Sequence, residues 1–256
     1  MIIRLARKAA RKVLTKVAGT AVVDPFSDMR RLLEAEQVET VFDVGGCYGV
    51  VARKFEEIFP AAHIFSFEPN GESFQILQKN VTGAPRITPI NLGAYYEQTK
   101  MTLHLNAVPG SSSLLRRPDG GTTYHNPIAV HARAVDVDLV RLDDWAARSG
   151  IKRVDVLKLD IQGSELNALK GCTGFLPQTR VVYSEVQFHP VYQGACLLDE
   201  VWSFLRGYGF TLFQLYSVWG GQDGQIVQGD ALFISDALRR AKLSRQGPVR
   251  GVSYFN

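Results

Sequence analysis

The stretch VFDVGGCYGVVARKFEEIFPAAHIFSFEPN, residues 41–70, decides how this chain is read. It runs from an apolar strand through a glycine-bearing turn into an amphipathic helix, then a second strand that ends on Glu68. Such a βαβ unit places a ligand at the carboxyl ends of its strands, against the turn. Gly45 and Gly49 stand where the backbone must come close to that ligand. The rest of the chain extends the unit. Strands are predicted at Thr40–Val44, His63–Phe67, Ile87–Asn91, Val154–Leu159, Val181–Val186, Phe210–Tyr216 and Ala231–Ile234. Helices are predicted at Val50–Phe59, Glu72–Asn80, Ser164–Gly171 and Leu198–Tyr208. Alternation of this kind implies an α/β fold with a mostly parallel sheet covered on both faces.

Residues 95–140 break the rhythm. Two alternating segments, Met101–Leu105 and His131–Leu139, flank a stretch rich in Gly, Pro, Ser and Thr, which reads as a long functional insertion. The domain is expected over residues 38–235. A helical N-terminal extension (1–37) precedes it, and a basic C-terminal tail (236–256) follows.

Composition excludes several classes. With 46% hydrophobic and 21% charged residues, a core can form by burial alone. The three cysteines, Cys47, Cys172 and Cys196, form no CxxC pair, so free thiols in a cytoplasmic setting are expected and no metal cluster is. The net charge of +4 is concentrated at one end. Residues 1–23 carry six Lys/Arg and no acid, which leaves 23 basic against 25 acidic residues elsewhere. Nucleic-acid binding by general charge is therefore not expected. Within residues 1–20, Ile2, Leu5, Ala6, Ala9, Val13 and Val17 fall on one helical face among the basic residues. That helix either packs on the domain or makes peripheral contact with an anionic membrane.

The glycine turn narrows the ligand. A dinucleotide fingerprint needs GxGxxG after the strand. Here the spacing is Asp43-x-Gly45-x-x-x-Gly49, with Cys47 where a glycine would be required. The phosphate-free cofactor S-adenosyl-L-methionine suits this turn better than a pyrophosphate. Glu68 then stands where a carboxylate accepts hydrogen bonds from both ribose hydroxyls. Tyr48 can bring its ring toward the sulfonium, or merely fill the loop.

The motifs VFDVGGCYG, FPAAHIFSFEPN, SSSLL, LDDW, VLKLDIQGSELNALKG, EVQFHPVYQG and GDALFIS occur in the order seen in the FkbM family, which the chain resembles over residues 38–235. The resemblance implies a Rossmann-like class I methyltransferase with a seven-stranded sheet whose last strand is antiparallel. It implies S-adenosylmethionine-dependent methylation of a hydroxyl on a saccharide, glycolipid or secondary metabolite. The family commonly has Ala-Asn where this chain has Gly46-Cys47, and often Glu where it has Gln162.

Candidate cofactor residues are Asp43, Gly45, Gly46, Cys47, Tyr48, Gly49, Glu68, Pro69, Asn91, Gly93, Ala94, Ser112, Ser113 and Asp160, with Asn91–Ala94 placed beside the adenine by analogy with the family. Candidate bases are Asp160, then Glu185, then His189, since an alcohol attacks well only as its proton leaves. Each also has a structural reading: Asp160 as loop or cofactor support, Glu185 as a positioning group, His189 as a loop residue. Asp160, Glu165 and Glu185 suggest a divalent-metal site, but Glu165 suits a helix start, and no metal is expected. Phe188, Tyr192, Tyr216 and Trp219 form either a sugar platform or core. The DPF of residues 24–26 imitates an amino-methyltransferase signature, but in the wrong place. Two rival functions stand beside methyl transfer: a nicotinamide-dependent oxidoreductase, and a non-catalytic domain that binds cofactor or glycan. Acceptor identity and oligomeric state are not written in the sequence in readable form.

Overall fold

A computed structural model describes residues 24–108, 110–118 and 131–246. The basic segment of residues 1–20 and the last part of the tail, 247–256, lie outside the described residues. The chain opens with α1 (Pro25–Leu33), then β1 (Thr40–Val44), α2 (Val50–Ile58), β2 (His63–Phe67), α3 (Gly71–Asn80) and β3 (Ile87–Ile90). The middle contributes β4 (Gly93–Tyr95), β5 (Thr99–Asn106), β6 (His131–Arg141) and α4 (Leu142–Arg148). The second half runs β7 (Val156–Leu159), α5 (Glu165–Lys170), β8 (Val181–Gln187), α6 (Leu198–Gly207), β9 (Phe210–Gly220), β10 (Ile226–Ser235) and α7 (Asp236–Gln246).

Seven strands form the main sheet in the order β3-β2-β1-β7-β8-β10-β9. β10 is antiparallel to both of its neighbours, β8 and β9, and the pairings from β3 through β8 are parallel. The sheet reverses its winding between β1 and β7, which opens a crevice beyond their carboxyl ends.

Burial on both faces explains the near-continuous apolar strands. On one face Phe42, Val44, Leu157 and Leu159 pack with Leu142, Ala146, Leu169 and Val201 from α4, α5 and α6. Phe42 is the hub, with edge-to-face contacts to Phe65, Phe67, Trp145 and Phe175. On the other face Val41, Ile64, Val156 and Leu232 meet Met29, Phe55, Leu77 and Leu238 of α1, α2, α3 and α7.

Three parts of the organisation differ from the sequence reading. α1, assigned to the extension, is packed into the core through Met29, Leu32 and Leu33. The DPF there is a helix start: Asp24 caps the Ser27 N–H at 2.9 Å, and Pro25 fills the first turn, where no N–H is needed. The tail begins as a helix, α7, whose Lys242 donates to Arg31 O and Glu34. Residues 93–141 are also more than a loop. β4, β6 and β5 form a second sheet, with β5 antiparallel and β4 parallel to β6, around Leu103, Leu105, Val137 and Leu139.

Candidate active site

The turn after β1 is bent where a side chain would not fit. Gly45 has φ +80°, and a Cβ there would lie 1.9 Å from the Asp160 carbonyl oxygen. The Gly45 and Gly46 N–H groups donate to Phe67 O at 3.0 and 2.8 Å, which fastens the turn to the end of β2. Cys47 follows at φ +47° and donates its N–H to Glu68 Oε2 at 2.8 Å. Asn70 N–H donates to the other oxygen, Oε1, at 2.9 Å. Glu68 is therefore a fixed, nearly buried carboxylate. Burial raises its pKa, while the two N–H groups and Lys158 pull it back. Two backbone donors leave lone pairs on both oxygens for a diol.

Around Glu68 lies a cavity with about 710 Å³ of empty space, its open mouth included. Pro69, Gly93, Ala94, Leu103 and Leu139 give it apolar lining, and Asp160, Gln162 and Ser112 add polar groups. The small sheet thus supplies one wall. Among the described residues the lining carries two carboxylates, Glu68 and Asp160, and no Lys or Arg. Such a lining fits a phosphate-free, cationic ligand carrying a ribose, and it would repel a pyrophosphate.

At the rim the loop after β7 gathers the acids. Asp160 keeps its side chain two-fifths exposed, with Lys158 Nζ 3.8 Å from Oδ2. Gln162, at φ +60°, donates from Nε2 to Asp160 Oδ1 at 2.9 Å and to Glu185 Oε2 at 2.7 Å. Tyr192 OH lies 2.8 Å from Gln162 Oε1 and 2.8 Å from Ser111 O, so its one proton serves either in turn. Arg117 donates to Tyr192 OH and stacks over that ring at 5.0 Å. Ser113 Oγ donates to Gln162 O at 2.7 Å. The insertion is thereby tied to the rim through Gln162.

A model of the methyltransferase FkbM domain matches residues 43–212, more than half of the chain. This chain belongs to the FkbM methyltransferases. It takes its methyl group from S-adenosyl-L-methionine, and the nicotinamide alternative falls away. Relatives include the 2-O-methyltransferase NoeI of Sinorhizobium fredii, 26% identical over 215 residues, 79% of this chain and 80% of that protein. The 31-O-demethyl-FK506 methyltransferase FkbM of Streptomyces tacrolimicus is 29% identical over 205 residues, 72% of this chain and 77% of its own. The hexuronic acid methyltransferase AglP of Haloferax volcanii is 25% identical over 162 residues, 62% of this chain and 61% of its own.

In this FkbM methyltransferase the candidate residues separate into groups. Gly45, Cys47, Glu68, Pro69, Gly93, Ala94, Ser112 and Asp160 all line the cavity. The others lie behind it. Asp43 is fully buried beneath the turn, bonded by Ser66 Oγ at 2.7 Å and paired with Lys158 Nζ at 3.1 Å. Gly46 packs against Ser66, and Gly49 starts α2 against Leu77. Tyr48 O accepts from Asn80 Nδ2. Asn91 braces the Glu68 and Pro69 carbonyls, and Ser113 is buried. Of the proposed bases only Asp160 reaches the cavity. Glu185 stands one hydrogen bond behind it; its pKa is pushed well above the usual range by burial, then by Asp160, Glu165 and Asp230. His189 follows the end of β8, its N–H pointing to Val227 O at 3.2 Å, and does not line the cavity.

Glu165 is held by the N–H groups of Ile161 and Gly163 and orders the loop. Among the described residues no group of three or more His, Cys, Asp or Glu is placed to hold a metal ion. Of the four aromatic candidates, Tyr192 and Tyr216 are buried, Tyr216 OH donating to Asp28 of α1 at 2.7 Å, Phe188 packs against the core, and Trp219 is exposed.

The sequence reading missed Lys158, Gln162 and the Tyr192–Arg117 brace. It also missed Asp230, whose pKa burial raises to about 6, with Asp160 adding to it and a Tyr183 hydrogen bond opposing. Because this folded pKa lies above the unfolded one, the associated stability is complete below pH about 4 and is lost as pH rises through about 6. Asp230→Asn is therefore expected to be more stable than the parent at pH 8, by about 1–3 kcal/mol, and to lose that advantage at pH 4. Thermal denaturation at the two pH values checks the sign.

Proposed function

We propose that the protein methylates a hydroxyl oxygen of a saccharide, glycolipid or secondary metabolite, with Asp160 receiving the hydroxyl proton. The observation that carries this reading is the Asp160 carboxylate, two-fifths exposed and part of the cavity wall. Bound S-adenosylmethionine supplies an electrophilic methyl group on a sulfonium. Glu68 holds the ribose hydroxyls, and Gly93, Ala94, Leu103 and Leu139 enclose the base. Gln162 fixes one oxygen of Asp160, and the other, 3.8 Å from Lys158 Nζ on a side chain two-fifths exposed, is the one left for the acceptor's proton. Holding the acceptor oxygen in line does much of the remaining work. Two relatives' names describe methylation at oxygen, a 2-O-methyltransferase and a methyltransferase of 31-O-demethyl-FK506, and a third names a hexuronic acid, which supports a hydroxyl acceptor of this range.

Titration with S-adenosylmethionine, its demethylated product and NADH, beside Glu68→Ala, tests the cofactor half. The first two should saturate and NADH should not. Loss of the carboxylate's hydrogen bonds should weaken binding by about tenfold to a hundredfold. Labelled-methyl transfer to a panel of uronosides, neutral glycans and polyketide alcohols tests the rest. Cofactor binding without turnover on any acceptor would favour the non-catalytic reading.

A further inference from the structure

The long hairpin β9–β10 overshoots the sheet on the side of the cavity. β8 ends at Gln187, which pairs with Gln228 of β10, and Gln228 pairs with Trp219 of β9. Since β10 is antiparallel to both neighbours, β9 runs in the direction of β8. The Val218–Gly220 end of β9 therefore reaches the rim that carries Asp160. Three large apolar side chains stand open there: Val218, Trp219 and Ile226 are 41%, 44% and 45% exposed. The hairpin carries one acid near its tip, Asp223, and Arg116 is exposed on the same rim, its carbonyl accepting from Gln193.

α1 runs beside β9 in the opposite sense. Arg31 lies over the Phe213 ring at 5.8 Å, and Asp28, one turn earlier, accepts from Tyr216. Each step toward the start of α1 is a step toward the hairpin tip, so Asp24 joins residues 1–23 to the domain at the active-site rim. Those residues carry six Lys/Arg and no acid, with apolar residues at helical spacing. A basic segment and an exposed Trp on one edge are complementary to an anionic bilayer, whose headgroups take the charge and whose interface takes the indole.

We propose that this rim, formed by the β9–β10 hairpin and the attachment point of residues 1–23, docks the protein on an anionic membrane. The opening of the cavity then faces the lipid surface, and the acceptor hydroxyl belongs to a membrane-anchored molecule such as a glycolipid. This last step rests on the methyl-transfer reading, whereas the docking itself does not.

Co-sedimentation of the full chain with phosphatidylcholine vesicles, with and without phosphatidylglycerol, tests the proposal without any turnover. Binding to the anionic vesicles, reversed by salt and absent with phosphatidylcholine alone, is expected. Deleting residues 1–20, and separately Trp219→Ser with Ile226→Ser, should each lower the partition coefficient by about tenfold. Cofactor titration of every variant reports folding and isolates the result from the fate of the methyltransferase reading. Unchanged vesicle binding by the hairpin variant, equal binding to neutral vesicles, or binding to RNA but not to vesicles would overturn the proposal.

Discussion

Asp160→Asn is expected to lower turnover by about 10²–10⁴-fold, the usual contribution of a positioned general base, while cofactor affinity stays near that of the parent. The amide keeps the size and one acceptor oxygen of the carboxylate, so Gln162 retains its partner. What it removes is the ability to take a proton. A change in kcat without a change in binding identifies the base. A change in cofactor affinity with kcat preserved would instead make Asp160 a support for the ligand's amino group, and the proton would need another destination. Glu185 is poorly suited to that task, because Gln162 stands between it and the cavity and an amide does not relay protons readily.

Lys158→Met is expected to cost about 3–5 kcal/mol of stability, because it leaves a buried carboxylate without its counter-charge. Lys158 is 2% exposed, and its Nζ meets Asp43 Oδ1 at 3.1 Å, Gly45 O at 2.7 Å and Val44 O at 3.3 Å. Burial alone would lower its pKa; Asp43, Asp160 and Glu185 outweigh that and raise it. The ammonium thus stays charged in the core and ties the carbonyls of the turn to β7. The double variant Lys158→Met with Asp43→Asn should recover most of the loss, since replacing both members of a buried pair is far milder than stranding one. Chemical denaturation of the single and double variants measures the difference. Equal stability of the two would remove the pair from the account of how the turn is held.

The sheet was legible where burial on both faces writes long apolar runs. β1 and β2 fall at their expected bounds, and β3, β7 and β8 lie within two residues of theirs. The hairpin was legible only in part, over Phe210–Tyr216 and Ala231–Ile234. β9 and β10 extend through SVWGGQDGQIVQGD, where polar residues, glycines and bulges hide the alternation that marks a strand. β4 was lost for a different reason: three residues, one of them Gly93, carry no period at all. In the site, cavity-lining positions such as Glu68 followed from strand ends, which are readable. The ion pair below the turn needed one further step. VFDV and VLKL are apolar strands that each carry one charge, and only their adjacency in the sheet, with Asp43 level with Lys158, makes those charges partners. Gln162 and Tyr192 lie 30 residues apart and meet through a left-handed turn that no local pattern announces.

The small sheet β4-β6-β5 has its own apolar cluster, separate from the two that cover the main sheet. It lends Leu103 and Leu139 to the cavity wall, while Leu105 and Val137 pack in the same cluster without lining that cavity. A sheet of this size opens at a lower free energy than the seven-stranded one, and opening it dismantles the wall of the cavity that Leu103 and Leu139 form. Ligand affinity and the local unfolding equilibrium of this small sheet are therefore thermodynamically linked. Evolution can tune how tightly the enzyme holds its cofactor at Leu105 or Val137, out of reach of the ligand, by adjusting how often one wall of the site melts.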